Sequence, residues 1–117
     1  MEELYHITDP RNVEAIQREG LKAHAGKIFL FEDISIKPVW YREPYCVADH
    51  IALNQVFLKE FAMFKVSMDG IEKPLILDDV AEICSKWQWY VEQDRIAPEY
   101  IEYVGKYKTK KPVILSR

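Results

Sequence analysis

Residues 2–7, EELYHI, set Leu4 and His6 against Tyr5 and Ile7, the period of two that a strand requires. The pattern then changes. Thr8-Asp9-Pro10 supplies a helix start, with Asp9 or Thr8 capping free backbone N–H groups and Pro10 sitting where its missing N–H costs nothing. Val13, Ile16 and Ala15 mark the apolar face of a short helix that ends at Gly20, with Leu21 as its closing hydrophobic contact. About ten residues are too few for a helix to stand alone in water, so packing on a sheet must hold it.

Residues 27–31, KIFLF, form a second apolar run and predict a strand. Residues 34–44 contain Pro38 and Pro44 and read as a long loop, whereas Val47, His50, Ile51, Asn54 and Leu58 recur at helical spacing. Ala62, Phe64, Val66 and Met68 alternate with Met63, Lys65 and Ser67, a strand that ends at the Asp69-Gly70 turn signal. Leu75 to Leu77 predict a short strand, and Asp78-Asp79 cap a short helix through Val80 and Ile83. Trp87 to Gln93 read as extended, Ile96-Ala97-Pro98 punctuate, Glu99 to Tyr107 follow, and Pro112 to Leu115 close the chain with another apolar run. The class is α+β, strand-rich toward the C-terminus and without repeats.

At 117 residues, with 49% hydrophobic and 30% charged positions, residues 1–117 are expected to form a single soluble domain. A dinucleotide-binding domain with a separate substrate domain does not fit. The formal charge of -3 offers no field for a polyanion, so strong non-specific nucleic-acid binding is not expected. Charge is uneven, however: residues 102–117 carry a net +4, read either as an edge strand that resists aggregation or as a contact for a phosphate-rich partner. Cys46 and Cys84 make neither a disulfide framework nor a CxxC motif, which fits a reducing compartment. The acidic start and the lack of an apolar run of about 18 residues make a cytoplasmic, non-membrane location the expectation. Aromatic residues reach 13%, and most of them suffice as core filling.

The phosphate-binding loop, dinucleotide-binding, zincin and ester-hydrolase signatures are absent. His6, His24 and His50 are too dispersed for a metal site, and nothing orients either Cys46 or Cys84 against a histidine. His6 is the polar residue of most interest, since it lies inside a strand pattern just before a capped helix.

The order of Leu4-Tyr5-His6-Ile7-Thr8, a helix ending in Glu19-Gly20-Leu21, Ile28-Phe29-Leu30-Phe31, and Ile96-Ala97-Pro98-Glu99-Tyr100-Ile101 resembles the small ADP-ribosyltransferase-like proteins. That broad group includes NAD-using toxins, poly-ADP-ribose polymerase catalytic cores, DNA-modifying transferases and RNA 2'-phosphotransferases. The resemblance covers residues 3–104. It implies a split mixed or antiparallel sheet with short flanking helices and NAD as substrate, cleaved between nicotinamide and ribose, with ADP-ribose passed to a protein or nucleic-acid acceptor. It implies further that His6 binds the nicotinamide ribose, accompanied by Thr8, and that Phe29 stacks on nicotinamide, a core role for Phe29 or Phe31 being the other reading. Where many relatives carry a glutamate the corresponding place in this chain falls near Trp87 or Gln88, of which Gln88 can hydrogen-bond a ribose hydroxyl but supplies no negative charge. Glu92 is the second candidate, sharing a strand face with Gln88 and Tyr90, or else is an exposed sheet carboxylate. Asp94 reads as a turn residue.

Three alternatives stand beside transfer. One is a degenerate member that binds NAD, ADP-ribose or a partner protein without turnover. Another is RNA 2'-phosphotransferase-like activity, whose arginine and second-histidine pattern Arg11, Arg18 and Arg42 do not reproduce. The last is an interaction module with a contact patch of Trp40, Tyr41, Trp87 and Trp89. From sequence, His6→Ala is expected to weaken NAD binding and leave the melting temperature nearly unchanged.

Overall fold

A computed structural model describes residues 3–32, 58–78 and 88–109. Among them the chain runs β1 (Glu3–Thr8), a 3-10 turn (Pro10–Asn12), α1 (Val13–Glu19), β2 (Leu21–Lys22), β3 (Ile28–Phe31), β4 (Glu60–Ser67), β5 (Ile76–Leu77), β6 (Gln88–Val91), β7 (Arg95–Ile96) and β8 (Ile101–Lys108). The six-stranded sheet has the order β5-β6-β3-β1-β4-β8, with β2 and β7 as a separate pair. Every ladder is antiparallel. The described residues are therefore α+β, with a mainly antiparallel sheet and one short α-helix.

The ladders are unequal. β1 pairs with β4 along its whole length, from Glu3↔Ser67 to Thr8↔Ala62, and β3 pairs fully with β6, from Ile28↔Val91 to Phe31↔Gln88. Between β1 and β3 only Tyr5↔Phe31 is in register among the described residues. The sheet thus consists of two well-paired halves, β5-β6-β3 and β1-β4-β8, joined at a narrow seam.

Alternation along each strand explains the core. Leu4, Ile28, Leu30, Ala62, Phe64, Val66 and Val91 collect on one sheet face beneath Ile16 of α1, Leu21 and Ile96. On the opposite face Ile7, Phe31, Phe61 and Met63 are also buried, so β4 is apolar on both sides rather than on the single predicted face. Asp9 caps the first turn, its carboxylate accepting from Arg11 N at 3.0 Å. α1 ends at Gly20, where φ is +86° and a Cβ would collide with the Ile96 carbonyl oxygen.

Several details differ from the sequence expectation. The helix begins as a 3-10 turn, and Ala15 is exposed, because the turn rotates it away from the sheet that Ile16 contacts. Leu21 is a strand residue paired with Ile96, not only a helix-closing contact. β6 ends at Val91, which leaves Glu92 beyond the strand and exposed. The segment after Pro98 opens with a 3-10 turn before β8 starts at Ile101. Among the described strands β8 lies at the sheet edge, with Lys106 and Lys108 exposed. The loop over 34–44, the helix over 45–57, the helix after Asp79 and the closing run over 112–115 lie outside the described residues.

Candidate functional site

His6 faces the helix-covered side of the sheet with Leu4 and Thr8, while Tyr5 and Ile7 face the other side. Its Nδ1 lies 2.8 Å from the Phe29 carbonyl oxygen, across the seam. A carbonyl only accepts, so Nδ1 carries the hydrogen and donates it. Burial pushes the His6 pKa below its ordinary value, and the Phe29 bond opposes this with the smaller effect. The ring is therefore neutral at physiological pH, with Nε2 as a bare acceptor. Among the described residues nothing bonds to Nε2. The half-buried imidazole thus has one nitrogen committed to the fold and one left for a hydroxyl donor.

Thr8 is engaged locally, its Oγ1 accepting from Asn12 Nδ2 at 3.0 Å, which ties the end of β1 to the first turn. The two phenylalanines of β3 separate cleanly. Phe31 is 2% exposed and packs 6.1 Å from Tyr5, whereas Phe29 is 40% exposed. The Phe29 ring lies 5.8 Å from that of Tyr90, over which the Lys27 ammonium sits at 4.4 Å. This is an accessible aromatic pair with a cation at its rim. It occupies the sheet face opposite His6, so the imidazole meets the Phe29 backbone and not its ring.

Gln88 starts β6 and is only 4% exposed. Its Nε2 donates to Asp78 Oδ2 at 3.0 Å, and Asp78 N donates to the Gln88 carbonyl at 2.9 Å. Among the described residues its Oε1 has no hydrogen-bond partner. A carboxylate accepts, which fixes the amide with Nε2 toward Asp78 and Oε1 away from it. An unmet buried acceptor costs about 1–3 kcal/mol, so it calls for a partner. Glu92, past the end of β6, does not join this group.

The fold brings the strands carrying His6, Phe29 and Gln88 side by side, in the order β6-β3-β1. His6 and Phe29 are bonded directly, and Gln88 is in register with Phe31, two residues from Phe29. Of the aromatic patch expected from sequence, Trp89 is half-buried with Nε1 donating to Glu32 Oε2 at 2.7 Å. Trp40, Tyr41 and Trp87 lie outside the described residues, as do His50, Cys46 and Cys84. His24 is exposed and paired through its backbone to Lys27. An open groove of about 430 Å³, lined by Pro10, Arg11, Val13, Glu14, Tyr103 and Lys106, lies between the first turn and β8.

No protein-family model matches this chain, and no curated protein does. The function has to be argued from geometry.

Sequence reasoning missed two polar residues. Asp78 read as a helix cap, and only the β5–β6 pairing brings it to Gln88. Gln93 carried no signal at all, yet it is 7% exposed and its amide joins Gly70, Glu72 and Arg95 through their backbones. A buried amide with every bond met is a structural staple.

Proposed function

We propose that the chain is an NAD-dependent ADP-ribosyltransferase-like protein that cleaves the nicotinamide–ribose bond and transfers ADP-ribose to a macromolecular acceptor. The observation that carries this reading is His6. It sits at the one-pair seam between the two sheet halves, fixed as a neutral Nδ1–H tautomer, with Nε2 open to accept from a ribose hydroxyl. The narrow β1–β3 ladder also supports the split sheet that the resemblance implies. Past Tyr5↔Phe31 the two halves are held together among the described residues by the His6–Phe29 bond, with the imidazole on the helix-covered face and the Phe29 ring on the other.

In this reading His6 orients the nicotinamide ribose on the helix-covered face, while the Phe29–Tyr90 pair, on the opposite face, does not stack on the same nicotinamide. The C1'–nitrogen bond breaks early, nicotinamide leaves with the electron pair, and an acceptor nucleophile attacks C1'. Chemistry of this kind draws on positioning and electrostatics rather than on a nucleophile of the protein.

Titration with NAD, followed by measurement of nicotinamide release, tests the reading. Binding with release supports transfer. Binding without release supports a member that holds NAD or ADP-ribose without turnover, a reading favoured specifically by an amide rather than a carboxylate at position 88. A chain that shows neither refutes both.

A further inference from the structure

The Phe29–Tyr90 pair lies on the sheet face opposite His6, so NAD held by His6 leaves it without a role. We infer that this pair is a docking surface for single-stranded nucleic acid: an unpaired base stacks on Phe29, and the adjoining phosphate meets Lys27. The inference stands apart from the function proposed above. The surface is built from Lys27, Phe29, Tyr90 and His24. Phe29 stands directly opposite Tyr90 in the β3–β6 ladder, and the Lys27 ammonium lies 4.4 Å from the centre of the Tyr90 ring. His24 pairs with Lys27 across a two-residue turn, which turns both side chains to the same side. Phe29 is exposed, although Ile28, Leu30 and Phe31 of the same strand are buried. Among the described residues Lys27 makes no ion pair, even with the exposed Glu92 just beyond the Val91 that faces Ile28; its ammonium rests on the ring instead.

The side chains select the occupant. A bare aromatic face takes a planar ring, and an ammonium without a carboxylate beside it takes an anion. A nucleotide carries both at adjoining positions, and the exposed His24 ring adds a further donor toward the phosphate. At 40% exposure Phe29 stands on open surface, where a free nucleotide gains little, because small ligands bind by enclosure. A strand instead sums shallow contacts along an open sheet. A duplex hides the faces of its bases, which leaves the single strand as the form that fits. The formal charge of -3 leaves stacking to supply most of the affinity, so binding is modest and its salt dependence shallow. Lys106 and Lys108 take no part, since their register with Ala62 and Glu60 sets them on the helix-covered side of the far edge.

Fluorescence anisotropy of a labelled oligothymidine of about twelve nucleotides, titrated with the full chain, tests this. Phe29→Ala should weaken binding about tenfold, the loss of one stacked base, and Phe29→Trp should restore it. Lys27→Gln should weaken binding about threefold and flatten the slope of log affinity against log salt by ~0.7, the loss of one phosphate contact. Thymidine monophosphate and a duplex of the same length should each compete about tenfold less well than the unlabelled strand. NAD should leave the strand in place. Thermal melts show that Phe29→Ala and Lys27→Gln remain folded. A wild type that binds no oligothymidine, a folded Phe29→Ala that binds it normally, or a duplex or mononucleotide that competes as well as the strand overturns the inference and leaves the NAD reading untouched. Displacement by NAD overturns it as well, because the two ligands would then share one site. A chain that binds the strand but not NAD removes the function proposed above and leaves this surface standing.

Discussion

His6 ties the seam in the structure, the proposed function gives its Nε2 a second job, and a pair of substitutions pulls the two apart. His6→Ala removes the Nδ1–H donor that reaches Phe29 across a seam otherwise held by one register pair. Loss of a neutral hydrogen bond costs ~1 kcal/mol, and loss of a half-buried ring costs about as much again. At roughly 4 °C per kcal/mol for a domain of this size, the melting temperature should fall by ~8 °C. The near-neutral effect expected from sequence is thereby revised. His6→Asn behaves differently, because the Asn Nδ2 stands where the His Nδ1 stood and can still donate to the Phe29 carbonyl. It loses only ring packing, about 1 kcal/mol or ~4 °C. Both variants lack Nε2, so both should weaken NAD binding by about tenfold, the equivalent of one hydrogen bond near 1.4 kcal/mol. Calorimetric melts and NAD titrations on the three proteins read the two quantities independently. Wild-type NAD affinity in His6→Asn would show that Nε2 touches no ligand, and an unchanged melt in His6→Ala would show that the seam does not depend on this bond.

Stability should fall as pH is lowered below about 6.5, the ordinary histidine value: the unfolded chain takes up a proton there while native His6, with its pKa depressed by burial, resists it. Equilibrium unfolding between pH 7.5 and 5 should show that loss in the wild type and a smaller one in His6→Asn. Gln93→Met keeps the volume but strips the partner from the buried Gly70 carbonyl and from the Glu72 and Arg95 backbones, at a cost of ~2–4 kcal/mol in urea unfolding; a loss below ~0.5 kcal/mol refutes the staple. Gly20→Ala meets both a positive φ and the Ile96 carbonyl, and should lose about 3 kcal/mol, measured in the same way.

Local pattern determined much of this protein. The alternation of Leu4-Tyr5-His6-Ile7, the Asp9-Pro10 helix start, the Gly20 stop, and the strands read over 27–31 and 62–68, found at Ile28–Phe31 and Glu60–Ser67, all follow from side-chain periodicity and backbone preference within a few residues. So did the identity of His6 as the polar residue worth following. Adjacency was different in kind. That β1 shares one register pair with β3 yet six with β4 depends on how two halves of a sheet pack, which no window of sequence contains. The separation of Phe29 from Phe31 is of the same sort. Both are apolar residues of one strand with identical local signals, and only the tertiary fold buries one and leaves the other exposed. Glu92 lies outside β6 because the strand stops at Val91, where the chain turns toward the Gln93 staple. Asp78 meets Gln88 because strand pairing carries a carboxylate ten positions away to its amide. Periodicity tells a residue which side of its own strand it occupies; long-range pairing decides which other residue it meets there.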